Sequence, residues 1–152
     1  MSEARWHLAQ YNIARLLAPL TDPRLADFVA NLERINTLGD RSPGFVWRHH
    51  DADGTSTGVR VRGDDAIIIN FTMWESAEAL FEYAYHSEHV EVFRRRREWF
   101  EEMKQAYAVL WWVPADEVPS VTEADERLHY LREHGPTARA FTFKQRFAAP
   151  DG

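Results

Sequence analysis

The sequence predicts one α+β domain of ferredoxin-like type, a split β-α-β unit with an antiparallel sheet and both connecting helices on one face. The predicted elements follow the order β-α-β-β-α-β over about residues 5–114, and this order defines the fold. Two predicted strands, 66–73 and 107–113, are apolar on both faces, which implies burial on both faces. A length of 152 residues suits a single domain with a sizeable core.

Local patterns place each element of the core. In chain order they are a strand at 5–13, a helix at 22–38, a strand at 45–50, a loop at 51–58, a strand at 66–73, a helical stretch at 77–104 broken near residue 87, and a strand at 107–113. Asp22 followed by Pro23 is typical of a helix start. Ser76 is the predicted cap of the second helical stretch.

A C-terminal extension, residues 115–147, follows this core. Ser120 and Glu123 have the spacing of a capping box, and the helix that they begin should end at Gly135. Residues 140–147 are predicted as a final strand. We therefore interpret residues 1–152 as one domain with an extra helix and a short strand appended.

Composition excludes several classes of function. The net charge of -6 argues against a nucleic-acid partner, because phosphate binding needs a positive field. The absence of cysteine excludes disulfides and thiolate chemistry. No apolar stretch is long enough for a membrane span and residues 1–7 lack a signal-peptide core, so we expect a cytoplasmic protein without a membrane partner.

The two strands that are apolar on both faces also predict a partner. If both helices cover one sheet face, the other face needs a cover of its own. The simplest cover is the same face of a second copy, which predicts a homodimer. The alternative is that the C-terminal segment, with Phe141, Phe143 and Phe147, covers this face within one chain.

Several segments resemble a known family. They are 8–12 (LAQYN), 43–47 (PGFVW), 74–76 (WES), 95–100 (RRREWF), 110–114 (LWWVP) and 134–137 (HGPT). In these segments the chain resembles domain of unknown function 3291. The stretch from Asn70 to Val90 resembles the wider antibiotic-biosynthesis monooxygenase superfamily of dimeric α+β barrels. The resemblance implies oxidation of aromatic phenols without metal or flavin, binding and degradation of haem, or isomerisation and cyclisation of small molecules; some members of the superfamily have no known catalysis.

The same resemblance implies a set of catalytic residues. Asn70 and Trp74 lie four residues apart on a strand and point to one face, and Arg94 follows on the next helix. An amide and a guanidinium stabilise a phenolate or enolate that gives an electron to dioxygen, and a Trp stacks on a flat ring. Leu80 stands where such enzymes carry a Tyr, so proton transfer is assigned to a histidine instead, His86 or alternatively His49. The structural alternative makes Trp74 a core residue and Asn70 a partner of the backbone.

Further candidates are substrate-binding residues. Asn12 matches an Asn that haem-degrading relatives carry on the first strand, Trp47 is a candidate pocket wall, and His49 and His89 are candidate polar contacts. The haem ligand of those relatives falls within 94–97, where this chain has arginines, so haem is only a minor alternative and no cofactor is expected. No His-Glu-x-x-His motif is present, and no metal is expected either. Each histidine also has a plain reading as a surface or packing residue.

These observations support two hypotheses. The first is a small-molecule enzyme that resembles cofactor-independent monooxygenases of aromatic or polyketide-like substrates, or a related cyclase or isomerase. The second is a non-catalytic protein that binds a small molecule or haem.

Overall fold

A computed structural model describes residues 5–19, 21–49, 67–86, 89–102 and 105–150. The predicted loop at 51–58 and the His89 side chain lie outside these described parts. None of the described helices is both long and apolar enough to cross a lipid bilayer.

Four strands of the described residues form one antiparallel sheet. They are β1 (Trp6–Arg15), β2 (Phe45–Arg48), β3 (Ile67–Trp74) and β4 (Ala108–Pro114), in the spatial order β2-β3-β1-β4. β1 lies in the centre and pairs antiparallel with both β3 and β4. This order and direction are those of the split β-α-β unit, so the predicted fold class is confirmed.

The predicted capping residues precede three of the described helical segments. A 3-10 turn (Pro23–Leu25) leads into α1 (Ala26–Asp40), and the later helices are α2 (Ala77–His86), α3 (His89–Arg94), α4 (Arg96–Trp99) and α5 (Val121–His134). The side chains of Asp22, Ser76 and Ser120 each accept a backbone N–H of the first turn that follows them. The long helical stretch predicted at 77–104 is divided into α2, α3 and α4.

The two faces of the sheet have different covers. The even-numbered residues of β1 lie on the face that α1 and α2 cover, which we call the helix face. The odd-numbered residues of β1, with Phe71 and Trp111, lie on the opposite face. Ala124, Leu128 and Leu131 of α5 pack on this second face, which we call the α5 face.

The cover of the α5 face corrects the argument for a second chain. Tyr11 and Phe71 are 0% exposed and Trp111 is 1% exposed within the single chain. The apolar second face is therefore already shielded by the chain's own C-terminal helix. The homodimer stays a prediction, but the need to cover this face no longer supports it.

The predicted final strand at 140–147 is reduced to a single pair. Phe141 exchanges two backbone hydrogen bonds with Leu110, at 2.8 and 2.9 Å. Thr142 and Gln145 then bond to each other and turn the chain away from β4. The segment thus extends the sheet edge by one residue pair only.

Candidate functional site

The polar centre of the helix face is the side chain of Arg48, which is 2% exposed. Its Nε donates to Asp40 Oδ1 at 2.9 Å, and its two terminal nitrogens donate to Asn36 Oδ1 and to the Asn36 carbonyl at 3.2 and 3.3 Å. A guanidinium taken out of water needs such partners, since burial of an unpaired charge is costly. Arg48 therefore ties the end of β2 to the C-terminal half of α1.

Asn70 lies beside this guanidinium. Arg48 Nη1 donates to Asn70 Oδ1 at 3.4 Å. Asn12 is the cross-strand partner of Asn70, so both amides lie in the middle of the helix face. The structure thus brings two of the predicted site residues together, and it adds an arginine that the prediction did not include.

Trp74 lies on the same face, at the C-terminal end of β3. It is 0% exposed, and its Nε1 donates to Thr72 Oγ1 at 3.0 Å. Thr72 in turn donates to Gln10 Oε1 at 3.1 Å. The Trp74 ring stacks on Tyr83 of α2, with ring centroids 5.1 Å apart. Trp74 therefore fills the space between the sheet and α2.

Tyr83 connects the buried cluster with the surface. Its hydroxyl donates to the Ile35 carbonyl at 3.2 Å. Burial raises the pKa of Tyr83 to about 12, although the Arg48 guanidinium, hydrogen-bonded to the same oxygen, partly offsets this effect. Gly39 leaves room for the contact between Tyr83 and Arg48, because a Cβ at residue 39 would lie 2.5 Å from Arg48 Nη2. The phenol is therefore a neutral hydrogen-bond donor over the ordinary pH range.

A surface cleft of about 580 Å³ lies beside Tyr83, between α2 and the turn that leads into β2. Its volume falls within the usual range of small-molecule sites. Its walls are formed by Ser42, Pro43, Gly44, Glu75, Ser76, Glu78, Ala79, Glu82, Tyr83 and His86. Tyr83 is the residue shared by the cleft and the buried Arg48 cluster, and neither Asn70 nor Trp74 lines the cleft.

The other predicted site residues are dispersed. His86 is exposed at the end of α2 and lines the cleft. Arg94 is exposed on α3, whereas the guanidinium at Asn70 belongs to Arg48. Trp47 and His49 lie on the α5 face, where both rings contact Phe71. The predicted set is therefore divided between two sheet faces and the surface.

Two residues of this cluster were missed by sequence reasoning. Arg48 stands between Trp47 and His49 at the end of a short strand, where no sequence pattern marks it as buried. Tyr83 was passed over because Leu80 was compared with the tyrosine of the resembling enzymes. The one available signal was the helical spacing that places Tyr83 on the same side of α2 as Leu80. Among the residues with described positions, no group of three His, Asp or Glu is arranged to hold a metal ion.

A ferredoxin-like α+β domain with a buried polar cluster behind a surface cleft is the class of protein that this fold and site define. The family model of domain of unknown function 3291 matches residues 7–152. The chain belongs to that family, as the sequence resemblance predicted. No curated protein matches the chain significantly.

Solved structures with a similar arrangement come from several bacteria. SnoaB, a cofactor-independent oxygenase from Streptomyces nogalater, is 15% identical, covers 74% of this chain and 95% of its own, and has a TM-score of 0.49. PA3566 from Pseudomonas aeruginosa is 13% identical, covers 76% and 100%, and has a TM-score of 0.49. Rv0793 from Mycobacterium tuberculosis is 18% identical, covers 74% and 99%, and has a TM-score of 0.45.

Proposed function

We propose that this protein is a small-molecule enzyme that oxidises a phenolic or enolisable substrate, aromatic or polyketide-like, without flavin or metal. One observation carries the proposal: Tyr83 both lines the 580 Å³ cleft and lies against the buried Arg48 guanidinium. A molecule in the cleft is thereby brought next to a neutral phenol donor and, behind it, a fixed positive charge.

The chemistry follows from those groups. His86 at the cleft wall accepts the proton of the substrate hydroxyl or enol. On substrate binding the Tyr83 hydroxyl exchanges its hydrogen bond to the Ile35 carbonyl for one to the resulting oxyanion, and the positive field of Arg48 stabilises that anion. The anion gives one electron to dioxygen, the two radicals combine to form a C–O bond, and the resulting peroxide anion takes back the proton held by His86. The hydroperoxide then loses water, so that a CH₂ group and O₂ become a C=O group and H₂O.

Asn70 acts through Arg48 in this scheme. Its Oδ1 accepts from Arg48 Nη1 and helps to fix the plane of the guanidinium. Asn70 is accordingly a positioning residue, and Trp74 holds Tyr83 in place by stacking. The earlier role for Arg94 is transferred to Arg48 in this proposal.

Non-catalytic binding is the second candidate function. Trp74 is 0% exposed, and its ring packs on Tyr83 and Phe45 and not on an open pocket. A filled interior favours a protein that holds its ligand in the outer cleft without turnover. The haem form of this alternative is tested by visible absorption of the purified protein after incubation with haem.

Oxygen consumption with a hydroxyanthrone as substrate tests the proposal. We expect turnover by the unaltered protein and a fall of about 100- to 1,000-fold in kcat for Tyr83→Phe, the range for loss of one oxyanion donor. Tyr85→Phe, on the same helix but exposed, is the matched control and should leave kcat unchanged. Binding of the anthrone without oxygen uptake would favour the second candidate, and absence of binding would exclude this cleft as the site.

A further inference from the structure

The α5 face holds a connected set of aromatic rings that the proposed function does not use. Trp47 packs edge-on against Phe71 at 5.1 Å, His49 stacks on Phe71 at 6.5 Å, and Phe71 contacts Trp111 at 5.8 Å between ring centroids. Trp47 and His49 are half-buried and lie at the β2 edge, whereas Phe71 and Trp111 are buried beneath α5. The rings thus run from β2 across β3 to Trp111 of β4, beneath α5.

Two buried polar atoms on this face have no hydrogen-bond partner among the described residues. They are Trp111 Nε1 and His7 Nδ1. The register pairs Ala9 with Trp111 and His7 with Val113. His7 and Trp111 are therefore diagonal neighbours on one face, with Cα atoms within about 8 Å of each other. Buried polar groups are nearly always satisfied, and an unsatisfied one costs free energy. A cover that leaves both atoms unpaired is therefore a poor polar match for the face beneath it.

A positive charge lies next to the unpaired indole. The Arg127 guanidinium of α5 lies 5.8 Å from the Trp111 ring centroid. Its own partners are Glu123 Oε2, at 3.1 Å on a half-exposed side chain, and the Arg139 carbonyl at 2.9 Å. An N–H donor beside a cation favours an anionic acceptor, because charge-assisted hydrogen bonds are the strong ones.

We propose that the α5 face is a second binding surface, for a flat aromatic acid, and that α5 covers it in this structure. The ligand ring packs among Trp47, Phe71 and Trp111, and its carboxylate accepts from Trp111 Nε1 beside Arg127. A small outward shift of α5 about the connection at 115–120 admits the ligand and keeps Arg127 over its carboxylate. The ligand enters beside the half-buried rings of Trp47 and His49.

Titration with naphthoate tests this surface, because naphthoate combines a flat ring with one carboxylate. Trp111→Phe keeps an aromatic ring and removes the N–H, and we expect it to weaken naphthoate binding about tenfold or more. Trp112→Phe is the matched control: its ring faces the helix face and its Nε1 donates to the Phe147 carbonyl at 2.8 Å, so the affinity should change less than about twofold. Arg48→Lys should also leave the affinity unchanged, which separates this surface from the cleft.

Equal affinities of the Trp111→Phe and unaltered proteins, or no binding at millimolar naphthoate, would overturn the proposal. If Trp111→Phe does not fold, Arg127→Gln serves the same purpose and should likewise weaken binding. Hydrogen exchange gives a second readout: bound naphthoate should speed exchange of the α5 amides several-fold and leave those of β1 unchanged. Unchanged α5 exchange, or a doubled mass on addition of naphthoate, would count against a ligand that displaces α5.

Discussion

At the residue scale, the buried phenol of Tyr83 makes a prediction about alkaline pH. Burial raises its pKa to about 12, above the value near 10 of an unfolded tyrosine. Between these two values the unfolded chain loses the proton and the folded chain keeps it, so stability falls as pH rises. Below about pH 10 both states are protonated and Tyr83 adds no pH dependence. We expect the free energy of unfolding, measured by urea titration, to fall more steeply above pH 10 in the unaltered protein than in Tyr83→Phe.

The control for this experiment is Tyr85→Phe, which removes an exposed phenol from the same helix. It should show the same alkaline slope as the unaltered protein. An identical slope in Tyr83→Phe would mean that the Tyr83 hydroxyl ionises in the folded state as easily as in the unfolded state. That result would also remove the neutral donor on which the proposed function depends.

Sequence reasoning was successful for residues whose roles are local. Asp22, Ser76 and Ser120 were predicted as caps and act as caps, because a cap needs only its own neighbouring turn. Arg48 was missed because strand alternation failed around it. The register shifts between Phe45 and Trp47, so Phe45 pairs with Trp74 on the helix face while Trp47 pairs with Met73 on the other. A bulge of this kind leaves no clear mark in four residues of sequence.

At the element scale, two glycines with positive φ allow the cost of backbone strain to be measured separately from the cost of steric crowding. Gly44, before β2, has φ 83°, and an added Cβ would collide with the Ala79 Cβ of α2. Gly135, after α5, has φ 74° and open space around it. We expect Gly135→Ala to cost about 1 kcal/mol of unfolding free energy and Gly44→Ala about 2–4 kcal/mol, since only the second adds a steric clash.

A double variant tests the cause of this difference. Ala79→Gly removes the methyl group that Gly44→Ala would meet, although it costs about 1 kcal/mol as a glycine within a helix. If crowding between β2 and α2 is the main term, the double variant should be more stable than the sum of the single changes by about 1 kcal/mol or more. Strict additivity in urea unfolding would assign the whole cost of Gly44→Ala to its backbone conformation.

The elements themselves were mostly predictable, and their packing was not. Apolar patterns placed β1, β3 and β4 within a few residues, because they report burial along one element, and the capping box at Ser120 with the stop at Gly135 placed α5. These patterns did not predict what α5 packs on, since the apolar stripe of Ala124, Leu128 and Leu131 can pack either on the sheet of the same chain or on a partner chain. The predicted order of the elements was enough to identify the fold. The position of α5 as a second layer on the sheet depends on the path of the six residues between β4 and α5, and that path was not predictable.

At the scale of the whole molecule, α5 decides whether the sheet needs a second chain. In this structure the α5 face is closed by one helix of the same chain, so its contribution to stability should not depend on protein concentration. Leu128 is 1% exposed between α5 and the sheet. We expect Leu128→Ala to lower the free energy of unfolding by about 2–5 kcal/mol, the cost of lost burial plus a cavity. Glu126→Ala, exposed on the same helix, should change it by less than about 0.5 kcal/mol.

Thermal unfolding over a hundredfold range of concentration completes this test. For a face sealed within one chain, the midpoint stays constant in the unaltered protein and falls by the same amount at every concentration in Leu128→Ala. For a face shared between two copies, the midpoint rises with concentration because association stabilises the folded form by mass action. A rising midpoint that Leu128→Ala abolishes would show that α5 packs on a partner's sheet and would restore the argument for a dimer through this face. A rising midpoint that Leu128→Ala leaves intact would instead locate a dimer contact on another surface.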